Sequence, residues 1–334
     1  MLRKIAELSG SIALTVLGLL AVTFVIGRVV PIDPVLAVIG ENASQGVYER
    51  TRIELGLDQP LYVQFGRFVT KAVTGDFGVS VLTARPVLYD LKRVFPATIE
   101  LATLATLIGV FIGVPLGIIA AIRHQSWVDH LARIVALAGH SVPVFWLGLM
   151  GLLIFYGWLG WVAGPGRQSI AFLDIVPVVT GMILIDCLID GDMDALWDAV
   201  RHIVLPASVL GYFSLAYICR MTRSFMLEQL GKEYITAARI KGLSEWQVIR
   251  RHALPNIAVP LVTVIALSYG YLLEGSVLTE TVFAWPGLGS YLTDSLLRSD
   301  MNGVLGGTIL VGLIFIGLNL LSDLLYKVLD PRTR

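Results

Sequence analysis

Six stretches of this chain contain no Asp, Glu, Lys or Arg: residues 8–27, 101–122, 134–166, 202–219, 252–273 and 301–322. About 20 largely apolar residues are enough for a helix to cross the hydrocarbon core of a bilayer. Each run is close to that length, and 134–166 exceeds it. In lipid the backbone must satisfy its own hydrogen bonds, which leaves helices or closed barrels. The runs are continuously apolar, whereas a barrel strand alternates. The expected fold is therefore an all-α integral membrane protein with six transmembrane helices. A shorter apolar stretch, 175–185, lies between Asp174 and Asp186. It is too short to span and reads as an interfacial or re-entrant piece.

Composition supports this. Of 334 residues, 56% are hydrophobic and 15% charged, and mean hydropathy is +0.77. A soluble domain carries about 25% charged residues. Net charge is +0, so no global basic field points to nucleic acid. The two cysteines, Cys187 and Cys219, make neither a disulfide framework nor a zinc site, and Cys219 reads as a small buried hydrophobe. Arg3 and Lys4 precede the first run in the manner of a signal peptide, but the run is long for one and no A-x-A site follows. The first span is expected to be retained.

Loop charge orients the spans. With a cytoplasmic N-terminus, the inside segments 1–7, 123–133, 220–251 and 323–334 hold 14 basic and 7 acidic residues. The outside segments 28–100, 167–201 and 274–300 hold 11 basic and 18 acidic. Short loops decide orientation. Here 220–251 carries seven basic residues against two in 167–201 and one in 274–300. Both termini are expected to be cytoplasmic. The chain then divides into 1–27 (cytoplasmic N-terminus and first span), an external region 28–100, and a transmembrane domain 101–334. That domain carries an external insert 167–201 and a cytoplasmic loop 220–251.

Within the spans, Gly109, Gly113 and Gly117 are four residues apart, a spacing that lets helices pack closely. Trp158 and Trp161 fit an interfacial aromatic belt. His140 and Asn319 are the polar residues that stand out, and His140 beside Ser141 reads as an interhelical hydrogen-bonding residue rather than a substrate ligand. No residue is assigned to a substrate path.

Segment 226–256 carries the most information. Residues from about 228 to 241 are good helix formers. Gly242 can adopt the left-handed conformation that ends a helix. Ser244, with Gln247 three residues on, forms a capping box for a second helix, and Pro255 marks the junction with the fifth span. Two short helices at an angle are expected, with a small-residue surface at Ala237, Ala238 and Gly242. Such a rigid basic elbow suits a groove on a partner and offers no nucleophile–base pair. A loop that only sets topology needs less order than this. A DNA-binding helix–turn–helix is excluded, because spans begin within about ten residues on each side and the elbow could not reach a major groove.

The elbow resembles the cytoplasmic signature of ABC importer permeases, which reads E-A-A, three residues, Gly, nine residues, Ile-x-Leu-Pro. Thr236-Ala237-Ala238, Gly242 and Leu254-Pro255 keep that spacing, with Thr236 replacing the Glu and His252 the Ile. Those departures are similar to the dipeptide/oligopeptide/nickel branch. So are Arg223-Ser224-Phe225-Met226-Leu227-Glu228, Tyr234, Ala238-Arg239-Ile240-Lys241-Gly242-Leu243 and Arg251-His252-Ala253. Further matches run along nearly the whole chain. They are Leu55-Gly56-Leu57-Asp58-Gln59-Pro60, Gly75-Asp76-Phe77-Gly78-Val79-Ser80, Pro96–Leu101, Ser141–Phe145, Glu280–Gly289, Asn319–Asp323 and Asp330-Pro331-Arg332. Together they resemble the subunit with the long first periplasmic loop. Region 172–200, with Asp186, Asp190, Asp192, Asp194 and Asp198, matches least.

The resemblance implies a permease subunit in a bacterial inner membrane, forming half of a translocation path. Its expected partners are a second homologous permease, two ATPase subunits, a periplasmic binding protein and membrane lipid. It implies no catalytic site and no cofactor on this chain; ATP and magnesium would sit on the ATPases. The absence of a G-x-x-x-x-G-K-[ST] phosphate loop agrees. The coupling residues it implies are Glu233, Tyr234, Thr236, Ala237, Ala238, Arg239, Lys241, Gly242, Leu243, Leu254 and Pro255. Peptides are the expected cargo, with nickel chelates, glutathione or opine-like compounds as alternatives. A self-sufficient secondary transporter would need coupling groups near mid-membrane, which the charge-free spans lack. Region 28–100 could dock a binding protein or cap the bundle. The acids of 186–198 could contact that protein or form a solvated face.

Overall fold

The computed structural model describes residues 2–29, 34–40, 44–54 and 56–329. The exit of the first run at 30–33, Leu55 and the closing Asp330-Pro331-Arg332 lie outside the described residues, as does the side chain of His140. Among the described residues the chain is helical, with one isolated bridge between Val79 and Pro86. The helices are α1 (Leu2–Val29), α2 (Pro34–Ile39), α3 (Gln45–Glu54), α4 (Leu61–Thr74), α5 (Val87–Ile108), α6 (Val114–Ile122), α7 (Trp127–Ser141) and α8 (Val144–Gly151). After them come α9 (Ile183–Asp190), α10 (Met193–Leu230), α11 (Glu233–Ile240), α12 (Glu245–Val248), α13 (Leu254–Gly275), α14 (Val277–Val282), α15 (Leu288–Leu297) and α16 (Met301–Leu329).

Five helices are long and apolar enough to cross a bilayer. A sixth is obtained if α7 and the helix that follows it form one span, bent by 99°. The bend has a local cause. Pro143 disfavours helical geometry in the residue before it, and Val142 is extended at φ −94, ψ 127. The long run 134–166 is thus divided at Val142-Pro143 instead of forming one straight helix. Single wide π turns interrupt three other places, at Gly109–Gly113, Leu152–Trp158 and Ile249–Ala253.

Two compact units are present. One comprises residues 1–95 and 287–316. In it Phe24 of α1 meets Phe65 and Phe68 of α4. Val87, Leu91, Leu288 and Tyr291 form a buried cluster flanked by Phe77. Asp300 accepts a hydrogen bond from the Ser80 hydroxyl, and Asn302 donates to the Val79 carbonyl at 2.9 Å.

The second unit comprises residues 96–286 and 317–334. Its axis is α10, which packs on α6, α7, α8, α9, α13 and the Gly109–Gly113 turn. Asp192 caps α10 by accepting from the Ala195 amide at 2.9 Å. At 38 residues α10 extends beyond the charge-free run 202–219 at both ends. The three spaced glycines all face it. A Cβ on Gly109 would lie 2.3 Å from Ser214 Oγ, one on Gly113 3.0 Å from the Leu215 carbonyl, and one on Gly117 2.6 Å from the Cys219 carbonyl. Close helix packing, as the spacing predicts, is their role. Cys187 and Cys219 are free and buried.

Where α10 begins, the 167–201 insert is tied down by acids. Asp186 is buried and accepts from the Thr180 amide and hydroxyl, both at 2.7 Å, and from the Gly181 amide at 3.0 Å. Asp198 accepts from the Ser169 amide at 2.7 Å and hydroxyl at 2.5 Å. Three of the five acids of 186–198 therefore shape this segment; Asp190 and Asp194 are the exposed pair. Buried Glu100 pairs with Arg167 at 2.6 Å and accepts from the Leu184 amide at 2.8 Å. Arg167 also donates to the Gly181 carbonyl and lies over the Trp285 ring. The short stretch 175–185 is irregular up to Met182 and then enters α9.

Candidate functional site

The elbow lies between α10 and α13. Helix α10 ends at Leu230, the chain turns through Gly231-Lys232, and α11 occupies Glu233–Ile240. Gly242 then takes φ +81. The Leu243 amide donates to the Ala238 carbonyl at 3.3 Å and the Gly242 amide to the Arg239 carbonyl at 2.9 Å. This paired termination needs a left-handed residue at the position that Gly242 holds. Ser244 Oγ accepts from the Gln247 amide at 3.4 Å, while Gln247 Oε1 accepts from the Ser244 amide at 3.0 Å. That is the capping box the sequence predicts, worth about 1 kcal/mol.

Beyond the box the structure departs from the expected pair of separate helices. The second helix does not stop before the fifth span. Helix α12 passes through the Ile249–Ala253 π turn directly into α13, and Glu245–Leu273 is one continuous 29-residue helix. Pro255 falls within the first turn after the π turn. Its missing amide costs little there, because the widened turn has already shifted the hydrogen-bond register.

A buried cluster fixes the elbow. Ile235 and Ala238 of α11, Val248 and Ile249, Ala253 and Ile257 pack with Ala121 and Met226. Leu230, Leu243 and Leu254 flank it. Each large side chain removed from water contributes about 1.5–3 kcal/mol. The cluster joins the ends of α6, α10 and α13 to both arms of the elbow.

The predicted site residues separate into two groups. Glu233, Thr236, Ala237, Arg239, Lys241, Gly242 and Pro255 are exposed, as is Tyr234 at 39%. Ala238 is buried, and Leu243 and Leu254 are half-buried. The small-residue surface expected at Ala237, Ala238 and Gly242 is therefore two residues; Ala238 packs inward. Arg239 bridges Gly242 to reach Glu245, Nε to Oε1 at 2.8 Å and Nη2 to Oε2 at 3.1 Å. The Tyr234 hydroxyl donates to Gln229 Oε1 at 2.7 Å. Partial burial pushes its phenol above the ordinary value.

Two further residues were not singled out by sequence reasoning. Ile240 is 82% exposed and Trp246 is 64% exposed. Helical rotation of 100° per residue explains both. Ile240 lies two residues past buried Ala238, about 200° round the helix, and Trp246 stands in the same relation to buried Val248. The surface therefore presents two apolar side chains among Arg239, Lys241, Arg250 and Arg251, and no metal-ligating cluster is present among the described residues.

Residues 113–334 match the family described as binding-protein-dependent transport system inner membrane component, and 1–102 match the corresponding N-terminal family. Over 321 residues the chain is 45% identical to the probable D,D-dipeptide transport system permease protein DdpB of Escherichia coli (strain K12), covering 96% of this chain and 94% of that protein. It is 44% identical to the dipeptide transport system permease protein DppB of the same strain, covering 100% and 99%. It is 42% identical to the di/tripeptide transport system permease protein DppB of Pseudomonas aeruginosa (strain UCBPP-PA14), again covering 100% and 99%. A chain of the inward-facing MetNI methionine ABC transporter superposes with a TM-score of 0.53 at 17% identity, covering 72% of this chain and 97% of that one. That likeness is one of fold. Nearly full-length similarity to permease subunits and the family matches agree: the chain belongs to the binding-protein-dependent transport system inner membrane component family.

Proposed function

We propose that this chain is the permease subunit of an ATP-driven importer of short peptides, and that the 233–255 elbow is where an ATPase subunit docks and drives it. The observation that carries the reading is the join at the elbow. A surface with exposed Ile240 and Trp246 is held by a buried cluster and continues without a break into the fifth span. Force applied at that surface moves a membrane helix. Loop charge supports a cytoplasmic elbow and cytoplasmic termini, on the side where ATP is available.

In this reading the chain forms half of the translocation path. A second, homologous permease supplies the other half, two ATPases carry ATP and magnesium, and a periplasmic binding protein delivers cargo. The names of the relatives at 42–45% identity support a di- or tripeptide cargo. Region 28–100 is the proposed dock for the binding protein. Because the insert's acids are largely used in shaping that segment, Asp190 and Asp194 are the ones available to a partner.

Co-expression of the tagged full chain with the permease and ATPase genes adjacent to its own tests this. The expected result is co-purification of both ATPases, lost when Ile240 and Trp246 are changed to Ser and Ala. Peptide uptake by the lone chain in liposomes, without ATPases, would refute it.

A further inference from the structure

A cleft of about 200 Å3 opens between α7 and α10, lined by Ala132, Arg133, Ala136, Leu137, Cys219, Arg220 and Arg223. Its depth relative to the bilayer can be read from the sequence. Arg133 immediately precedes the charge-free run 134–166, and Arg220 immediately follows the run 202–219. Both line one cleft, so they mark one water–hydrocarbon boundary. Ala136, Leu137 and Cys219 fall within those runs, so the apolar part of the floor that they form lies on the hydrocarbon side of it.

The charges at the rim do not cancel. Arg223 is engaged by buried Asp129, Nε to Oδ1 at 2.5 Å and Nη2 to Oδ2 at 2.9 Å. Arg133 Nε is 3.8 Å from the same carboxylate, and its Nη2 is 2.6 Å from His130 Nδ1. Arg220 lies over the Tyr217 ring and has no carboxylate partner among the described residues. Three guanidinium groups thus face one carboxylate. Beside the cleft, Leu131, Ile134 and Leu137 are exposed along α7. A free inorganic anion would match the rim but not the floor, and a neutral lipid the floor but not the rim.

We propose that this cleft binds an anionic phospholipid, its phosphate held by Arg133 and Arg220 and one acyl chain lying over Ala136, Leu137 and Cys219. Arg223, locked by Asp129, is a positioning residue that holds α7 and α10 at the required separation. The proposal needs only that the chain sits in a bilayer and is independent of the elbow's role.

The test is native mass spectrometry of the full chain in detergent, titrated with phosphatidylglycerol or phosphatidylcholine. Basic residues at a membrane surface each strengthen anionic-lipid binding about fivefold, so two give a preference for phosphatidylglycerol of roughly 30-fold. Arg133→Gln with Arg220→Gln should abolish that preference, and Arg133→Lys with Arg220→Lys should retain most of it. Ala136→Phe, which fills the acyl groove and leaves the charges in place, should weaken both lipids. An unchanged preference in the double Gln variant would overturn the proposal. So would displacement of the lipid by inorganic phosphate at equal concentration, which would assign the rim to a free anion.

Discussion

Gly242 separates two ways in which the elbow could matter. Its φ of +81 is in the left-handed region, and a Cβ built there meets nothing within 4 Å. Gly242→Ala therefore adds no clash and costs only the left-handed strain of an L residue, about 1–2 kcal/mol. The buried cluster around Met226, Ile235, Val248 and Ile257 exceeds that at about 1.5–3 kcal/mol per large side chain, so the elbow stays folded. Gly242→Glu carries the same strain and adds a carboxylate to the presented surface. Trapping an unpaired charge in an interface costs about 2–5 kcal/mol. At 1.4 kcal/mol per tenfold, ATPase affinity falls by roughly 30- to 4,000-fold. The assay is a reconstituted complex in proteoliposomes, with peptide uptake and ATP hydrolysis measured together and assembly checked by size exclusion. Gly242→Ala should keep most uptake per ATP, and Gly242→Glu should lose it. Full uptake by an assembled Gly242→Glu complex refutes docking at this surface. Equal damage from Ala and Glu would instead assign the effect to backbone conformation.

Changing Ile240 to Ser or Trp246 to Ala should weaken ATPase binding by about 2 kcal/mol each, the scale of an interface hot spot, while thermal unfolding of the isolated chain stays unchanged. Gly117→Val places a side chain 2.6 Å from the Cys219 carbonyl and 2.7 Å from Thr222 Cβ. It should destabilise by at least about 1–3 kcal/mol in a detergent melt, whereas Gly10→Ala, with open space around it, should not. Asp129→Asn leaves Arg223 without its anion and should cost about 3–5 kcal/mol in the same melt. Glu100→Gln should lower the melting temperature in the same way by unpairing Arg167. A melt unchanged by the Glu100 substitution would mean that water already screens the pair.

How much of this was legible in sequence depended on whether the determining forces are local. The charge-free runs located the apolar helices, because lipid penalises charge wherever it falls in a span. Gly242, Ser244 and Gln247 were legible because a helix stop and a capping box involve neighbours within a few residues. Ala238 was misplaced, and Ile240 and Trp246 passed over, because residue type alone does not say which face of a short helix meets the cluster. Rotation from Ile235 and Val248 would have found both exposed side chains. The acids of 186–198 looked like a solvated face or a partner-binding one. Their use by Thr180, Gly181, Ser169 and Ala195 depends on turns that carry no periodic signature. The break at Val142-Pro143 was readable from the proline, but the apolar content of 134–166 outweighed it.

The uninterrupted passage from α12 to α13 has a mechanical consequence. At 1.5 Å per residue, 29 residues make a rod roughly 43 Å long. Tilting it by about 5° at the Trp246 end shifts the Leu273 end by roughly 4 Å, comparable to the width of a peptide backbone. The displacement of the Leu273 end is set by the length of the rod, and its stiffness by two features, the wide turn at Ile249–Ala253 and Pro260 inside α13.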